Sequence, residues 1–202
     1  VVGVITMPDK PAGRGHKLQF SPVKQYALEH SLPLLQPEKL KDEAFVEALR
    51  EWKADLQIVV AFRMLPEVVW NMPRLGTFNL HASLLPQYRG AAPINWAVIN
   101  GDTETGITTF FLRHEIDTGE VIQQVRIPIA DTDDVGIVHD KLMMLGGKLV
   151  TETVDAILND AVKPIPQEEM AVVGELRPAP KIFKDTCRID WNQPVKRIYD
   201  FI

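Results

Sequence analysis

Apolar residues along the chain follow two alternating periods. Short apolar runs, such as residues 1–7 (VVGVITM) and 56–62 (LQIVVAF), are separated by longer segments whose apolar positions recur at steps of three and four. That alternation predicts an α/β protein with a mostly parallel sheet flanked by helices, since continuous apolar runs suit strands covered on both faces. Residues 56–62 read as the clearest buried strand, with further strands at 1–7, 32–35 and 77–83. Ser21 caps a helix that opens on Pro22 and runs to about residue 30. Residues 42–52 give a second helix, 66–70 a short one, and 93–101 a proline-started helix that stops at Gly101. Residues 106–112 and 121–129 are expected to be antiparallel strands bracketing a DTG turn. Asp133 or Asp134 then caps a long helix with Val135, Val138, Leu142, Leu145 and Leu149 on one stripe. Past about residue 158 the text is polar and proline-rich, and reads as a surface-hugging tail with little core of its own.

Composition narrows the function classes. The 202 residues carry a formal charge of -5, so the whole molecule offers no electrostatic case for nucleic acid and any such contact is local. A local candidate exists: Lys10, Arg14, Lys17 and Lys24 face only Asp9 across PDKPAGRGHKLQFSPVK, which reads as an exposed basic loop. The single cysteine, Cys187, excludes an internal disulfide framework and favours a reducing compartment. No run approaches the roughly 18 apolar residues that span a bilayer, and no secretory leader opens the sequence, so a cytoplasmic location is expected. His16, His30, His114 and His139 show no metal-ligand spacing, and no metal is expected.

The chemistry concentrates between residues 77 and 119. Asn79 and His81 stand two apart in a strand, so both side chains point to one face, near the strand's C-terminal end where open α/β sheets build their sites. Asp117 arrives later in the DTG turn. It reads either as an Asx turn joining two strands or as the carboxylate that such an amide–imidazole pair lacks. Amide, imidazole and carboxylate together polarise a carbonyl, stabilise an oxyanion and move protons, which is the equipment of acyl transfer. The loop SLLPQYRGAAP is built to hold a shape. Pro86 and Pro93 fix two backbone angles and Gly90 reaches conformations closed to other residues, which suits a slot for a flat ligand.

NLHASLLPQYRGAAPINWAVINGD and the later DTG resemble the signature of the folate-dependent formyltransferases, and the likeness extends to PDKPAGRGHKL, LPLLQPEKL, HDKLMMLGG and the tail PAPKI. The resemblance implies a Rossmann-like catalytic domain over residues 1–160, without the family's first strand, and a linker over 161–202 leading toward a small barrel domain. It is nearest to those members whose acceptor is methionine carried on initiator tRNA. It therefore implies transfer of formyl from 10-formyltetrahydrofolate to the methionine α-amino group, by a monomer that uses no metal. On this likeness Asn79 binds the formyl oxygen, His81 stabilises the developing oxyanion, and Asp117 tunes that histidine and relays the proton. Ser83, Leu84, Leu85 and Pro86 line the folate pocket, while Arg14, with Lys10 and Lys17, meets the tRNA. The sequence departs from the family at Arg63, where a small residue is usual near the folate entrance. Formyltransferases for amino-sugar nucleotides or glycinamide ribonucleotide, formyltetrahydrofolate hydrolases and a folate-binding module without catalysis are the alternatives.

Overall fold

The computed structural model describes residues 1–12, 17–172 and 174–202, and side chains outside residues 10–19. The chain divides into two compact units, one of Val1–Gln57 with Arg63–Gly76, the other of Ile58–Phe62 with Thr77–Ile202. Its class is α/β and Rossmann-like, with helices flanking a mixed sheet.

The first unit begins with β1 (Val4–Ile5), β2 (Lys10–Ala12), β3 (Lys17–Gln19), α1 (Pro22–Glu29), β4 (Leu34–Leu35) and α2 (Glu43–Glu51). Strand β5 (Gln57–Val60) leads from it to α3 (Glu67–Trp70). Parallel pairing of Val4 with Leu34 and Ile5 with Leu35 joins β1 to β4. Both helix starts follow the side-chain chemistry: Ser21 Oγ accepts from the Lys24 N–H, and Asp42 Oδ1 from those of Ala44 and Phe45. Phe45, Val46, Leu49 and Val69 form the core, with Ile5, Leu35 and Trp52 packed around them. Arg63 donates to the Pro37 and Glu38 carbonyls at 2.7 and 2.8 Å.

The basic segment, read as a loop, contains a short antiparallel hairpin in which Lys10 lies opposite Gln19 and Ala12 opposite Lys17. Its base is fixed from outside. The Lys24 ammonium pairs with Asp9 and donates to Gln36 Oε1 at 2.8 Å, and Gln36 donates to Asp9 at 3.1 Å. Those two donors, Lys24 first, hold the Asp9 carboxyl below the usual carboxylate range.

The second unit is built on a four-stranded sheet in the order β5, β6 (Thr77–His81), β7 (Glu104–Phe111), β8 (Val121–Pro128). Helix α4 (Pro93–Ile99) precedes β7, and α5 (Val135–Leu158) and α6 (Val195–Phe201) follow β8. The β6–β7 and β7–β8 pairings are antiparallel, a larger antiparallel share than a mostly parallel sheet implies. The β7–β8 pair is antiparallel as expected of two eight-residue strands joined by a short connection; the added antiparallel pairing is β6–β7, where the chain returns through a loop and α4 before entering β7. The run at 56–62 also differs from expectation. Strand β5 is the end strand of this sheet and leaves Ile58 and Val60 exposed, so a continuous apolar run does not mean cover on both faces. Asp134, not Asp133, caps α5 by accepting from the Ile137 N–H, while Asp133 bonds the Ala130 N–H and pairs with Lys141.

Helix α5 buries Val138, Leu142 and Leu149 against Ile107 and Ile127, with Leu80 packed on the same cluster. At Gly146 a Cβ would come within 2.9 Å of Leu80 Cδ2, so a glycine lets the helix lie close on the strand that carries Asn79 and His81.

Candidate active site

Leu80 packs into the α5 core, so alternation turns Asn79 and His81 to the opposite face of β6. There the His81 ring meets Phe110 edge-on, with centroids 6.3 Å apart. His81 is only 6% exposed and must find partners inside the protein. Its Nε2 lies 2.9 Å from the Tyr88 carbonyl oxygen. A carbonyl only accepts, so Nε2 carries the hydrogen and donates. Nδ1 faces Asp117, whose Oδ2 is 3.9 Å away. At that ion-pair distance, beyond hydrogen-bond reach, the carboxylate acts on the ring through its field.

Asp117 is itself held across the site. Its Oδ2 accepts from the Gly90 N–H at 2.9 Å, so the carboxylate bonds to the neighbouring loop as well as facing the imidazole. Its backbone sits at φ 55, in the left-handed region that aspartate tolerates better than most residues. Thr118 Oγ1 closes the turn by donating to the Glu115 carbonyl at 3.1 Å.

Asn79 completes the group in a different way. Its Oδ1 is buried and has no hydrogen-bond partner among the described residues. A buried orphan of this kind costs roughly 1–3 kcal/mol. The two ends of an amide exchange by a half-turn, so this position can present either an acceptor or a donor to a bound group. The structure thus brings Asn79, His81 and Asp117 together on one face of the sheet.

The loop after β6 is tied down by its own side chains. Ser83 Oγ donates to the Gln87 carbonyl at 2.6 Å, and Thr108 Oγ1 donates to the Ser83 carbonyl at 2.7 Å. Leu85 packs with Phe110 and Val121, the Leu85–Pro86 peptide is cis, and Leu84 lies half-buried beside Gly106. Of the residues expected at the tRNA, Arg14 lies outside the described ones. Lys10 and Lys17 stand in the β2–β3 hairpin of the first unit.

Tyr88 fixes the carbonyl that orients His81. It is a left-handed residue at φ 59, held from both ends. Its N–H donates to the Arg177 carbonyl at 2.8 Å, and its hydroxyl donates to Asp102 at 2.6 Å while accepting from Asn100 at 3.1 Å. Burial first, and then the Asp102 carboxylate, push the phenol up to about 12. Protonation is the favoured state in the fold. The contribution is therefore complete below the ordinary tyrosine pKa of about 10 and fades as pH rises toward about 12. An ultraviolet pH titration should show one tyrosine ionising late, together with loss of structure, and Tyr88→Phe should remove that late step. A titration unchanged by Tyr88→Phe would show that the phenol is not held this way.

Sequence reasoning missed the Tyr88 carbonyl, since a backbone atom leaves no mark in residue type. It also missed Gln167, whose amide is buried beneath the DTG turn and bonds the Asp117 and Gly119 carbonyls at 2.8 Å each. Among the described residues, no cluster of His, Cys, Asp and Glu is arranged to hold a metal ion, and no helix is long and apolar enough to cross a membrane.

Comparison with known proteins places this geometry in context. The formyl transferase family profile matches residues 1–154. A methionyl-tRNA formyltransferase of Bacteroides thetaiotaomicron is 90% identical over all 202 residues, and the chain spans 63% of that protein's length. Among solved structures, the sugar 3N-formyl transferase WlaRD superposes with a TM-score of 0.69 at 20% identity, covering 89% of this chain and 61% of that one. HypX from Aquifex aeolicus, solved in complex with tetrahydrofolic acid, superposes with a TM-score of 0.64 at 24% identity, covering 87% of this chain and 30% of that one. At such identities the structural likeness speaks for the fold alone. The family match covers most of the sequence and includes every member of the Asn79–His81–Asp117 group, and the chain belongs to the formyl transferase family.

Proposed function

We propose that this chain carries the catalytic site of an enzyme that moves a formyl group from 10-formyltetrahydrofolate to the α-amino group of methionine on initiator tRNA, in the cytoplasm. One observation carries the chemistry: an amide whose buried oxygen has no partner among the described residues and an imidazole facing a carboxylate share one site on β6. The 90% identity to a protein named methionyl-tRNA formyltransferase supports the acceptor. Solved relatives of this fold bound to tetrahydrofolate derivatives support the donor.

Bound folate supplies the formyl group to be transferred, and the Asn79 amide and the loop Ser83–Leu84–Leu85–Pro86 are the proposed contacts for it. Asn79 donates to the formyl oxygen and polarises the carbon for attack by the amine. His81 is anchored through Nε2 on the Tyr88 carbonyl, and a proton carried on its other nitrogen, Nδ1, stabilises the negative charge that develops on that oxygen. Asp117 balances the charge on the imidazole and takes up the proton that the amine releases as its new bond to the formyl carbon forms. The bond from that carbon to the folate nitrogen breaks, and the nitrogen takes that proton from Asp117, which returns to its carboxylate form. No covalent enzyme intermediate is required.

Lys10, Arg14 and Lys17 are the proposed tRNA contacts, through phosphate neutralisation, with Lys10 and Lys17 in the hairpin whose base Asp9 and Lys24 secure. In the full-length protein, Arg14→Ala should raise KM for methionyl-tRNA and leave folate binding and formyl release unaffected. An assay offering methionyl-tRNA, an amino-sugar nucleotide or no amine tests the assignment directly. Formylation of the sugar, or release of formate with no acceptor present, would replace this reading with one of the alternatives.

A further inference from the structure

We infer that Gln167 is a positioning residue for the catalytic carboxylate, setting the place of Asp117 against His81 from outside the segment that matches the family; this rests on the formyl-transfer reading above. Gln167 is 1% exposed, and its amide makes four hydrogen bonds. Both of its hydrogens are used, one on the Asp117 carbonyl and one on the Gly119 carbonyl, each at 2.8 Å. Its oxygen accepts twice from the Arg89 guanidinium, at 3.0 Å from Nε and 2.6 Å from Nη2. One side chain therefore ties the backbone of the DTG turn to the residue just before Gly90.

That junction matters because Gly90 is where the Asp117 carboxylate is held by its other end, through the 2.9 Å bond from the Gly90 N–H. Asp117 is thus fixed at its carbonyl by Gln167 and at its carboxylate by Gly90, and both anchors run through the Arg89–Gly90 dipeptide. The surrounding chain keeps this clamp in register. Ile165 pairs with Val121 through two backbone hydrogen bonds of 2.9 Å, two residues before Gln167 and just after the DTG turn. Further along, Ala179 accepts from the N–H groups of Ala91 and Ala92 and donates to the Arg89 carbonyl at 2.8 Å. Ile165, Gln167 and Ala179 are bonded to both sides of the Asp117 anchor, although the family profile ends at residue 154.

Without the amide, the Asp117 and Gly119 carbonyls and the Arg89 guanidinium lose these partners, and the DTG turn is free to relax away from His81. Misplacement of a reacting group by an ångström lowers turnover while binding contacts stay in place. Gln167→Met keeps the volume of the side chain and removes all four hydrogen bonds.

The test uses the full-length protein. Gln167→Met should lower kcat by ~10–100-fold and leave KM for folate and for the amine within about twofold. Arg89→Met, which removes the other half of the clamp, should give a smaller loss with the same split and serves if Gln167→Met does not fold. The second readout is independent of any acceptor. The imidazole nitrogen resonances of His81 should move in Gln167→Met in the direction they move in Asp117→Asn. If the wild-type protein transfers no formyl group, the functional reading fails and the resonances still decide the positioning role. Unchanged kcat in an active protein, a parallel loss of kcat and substrate affinity, or His81 resonances identical to wild type would overturn the inference.

Discussion

Replacing Asn79 by leucine is expected to cut formyl transfer by ~100–1,000-fold, the usual cost of losing one donor to a developing oxyanion. The same change should leave the melting temperature unaltered or raise it. The two expectations come from one observation: Asn79 Oδ1 is buried with no partner among the described residues, so the fold bears the desolvation of that atom without a bond in return. An apolar side chain of similar shape removes that penalty. Activity and stability should therefore move in opposite directions, as expected where a polar group is kept for a substrate. His81→Ala should produce a rate loss of similar size but lower stability, because it strips the Tyr88 carbonyl of its donor in a buried setting. The double variant should lose less than the product of the two single effects, since the groups act on the same oxygen. Steady-state rates and thermal melts of the three variants decide the matter. Turnover within tenfold of wild type in a folded Asn79→Leu protein would remove Asn79 from the reaction.

How much of this was legible beforehand depends on which atoms do the work. The alternation of apolar and polar residues in TFNLH was enough to put Asn79 and His81 on one face, because strand geometry converts a spacing of two into a direction. The helix caps were nearly as readable, to the Ser21 side chain and to the Asp133–Asp134 pair of which Asp134 caps, since an N-cap is a local bond within three residues. Asp117 was harder. Its distance from His81 depends on β6–β7 pairing, in which His81 lies opposite Thr108, and on a register shift between Thr109 and Phe110 that periodicity does not encode. The Tyr88 carbonyl and the Gly90 N–H were out of reach altogether, being backbone atoms aimed by a left-handed turn. Gln167 was hidden for another reason: a lone amide in a polar, proline-rich tail carries no periodic signal, and its burial comes from long-range pairing of Ile165 with Val121 and Ala179 with Gly90. Strand β5 shows the converse error. Its apolar run resembles a strand covered on both faces, yet cover is a property of neighbours, and Ile58 and Val60 are exposed.

Gly119→Ala should be the most damaging single methyl group that can be added to the second unit. A Cβ at this position would lie 1.5 Å from the Phe111 carbonyl oxygen and 3.3 Å from the Phe110 ring, so the backbone of the DTG turn must move. The Phe111 carbonyl cannot yield easily, because it belongs to strand β7 and the Phe111 N–H is bonded to the Glu120 carbonyl at 3.0 Å. The strain therefore falls on residues 117–119, where Gln167 holds the carbonyls of Asp117 and Gly119. A stability loss of about 3 kcal/mol, the upper end for forced overpacking, should come with a fall in turnover as Asp117 leaves its place 3.9 Å from His81. Gly147→Ala provides the contrast. It lies in α5 with nothing within 4 Å of the added methyl, and should stabilise the protein by about 0.5–1 kcal/mol through the lower backbone entropy of alanine, with kcat unchanged. Denaturant midpoints and kcat measured on both variants separate a specific close approach from a general sensitivity to glycine replacement. If Gly119→Ala unfolds at the wild-type midpoint and turns over normally, the DTG turn does not pack against Phe111 as described, and the clamp on Asp117 loses its floor.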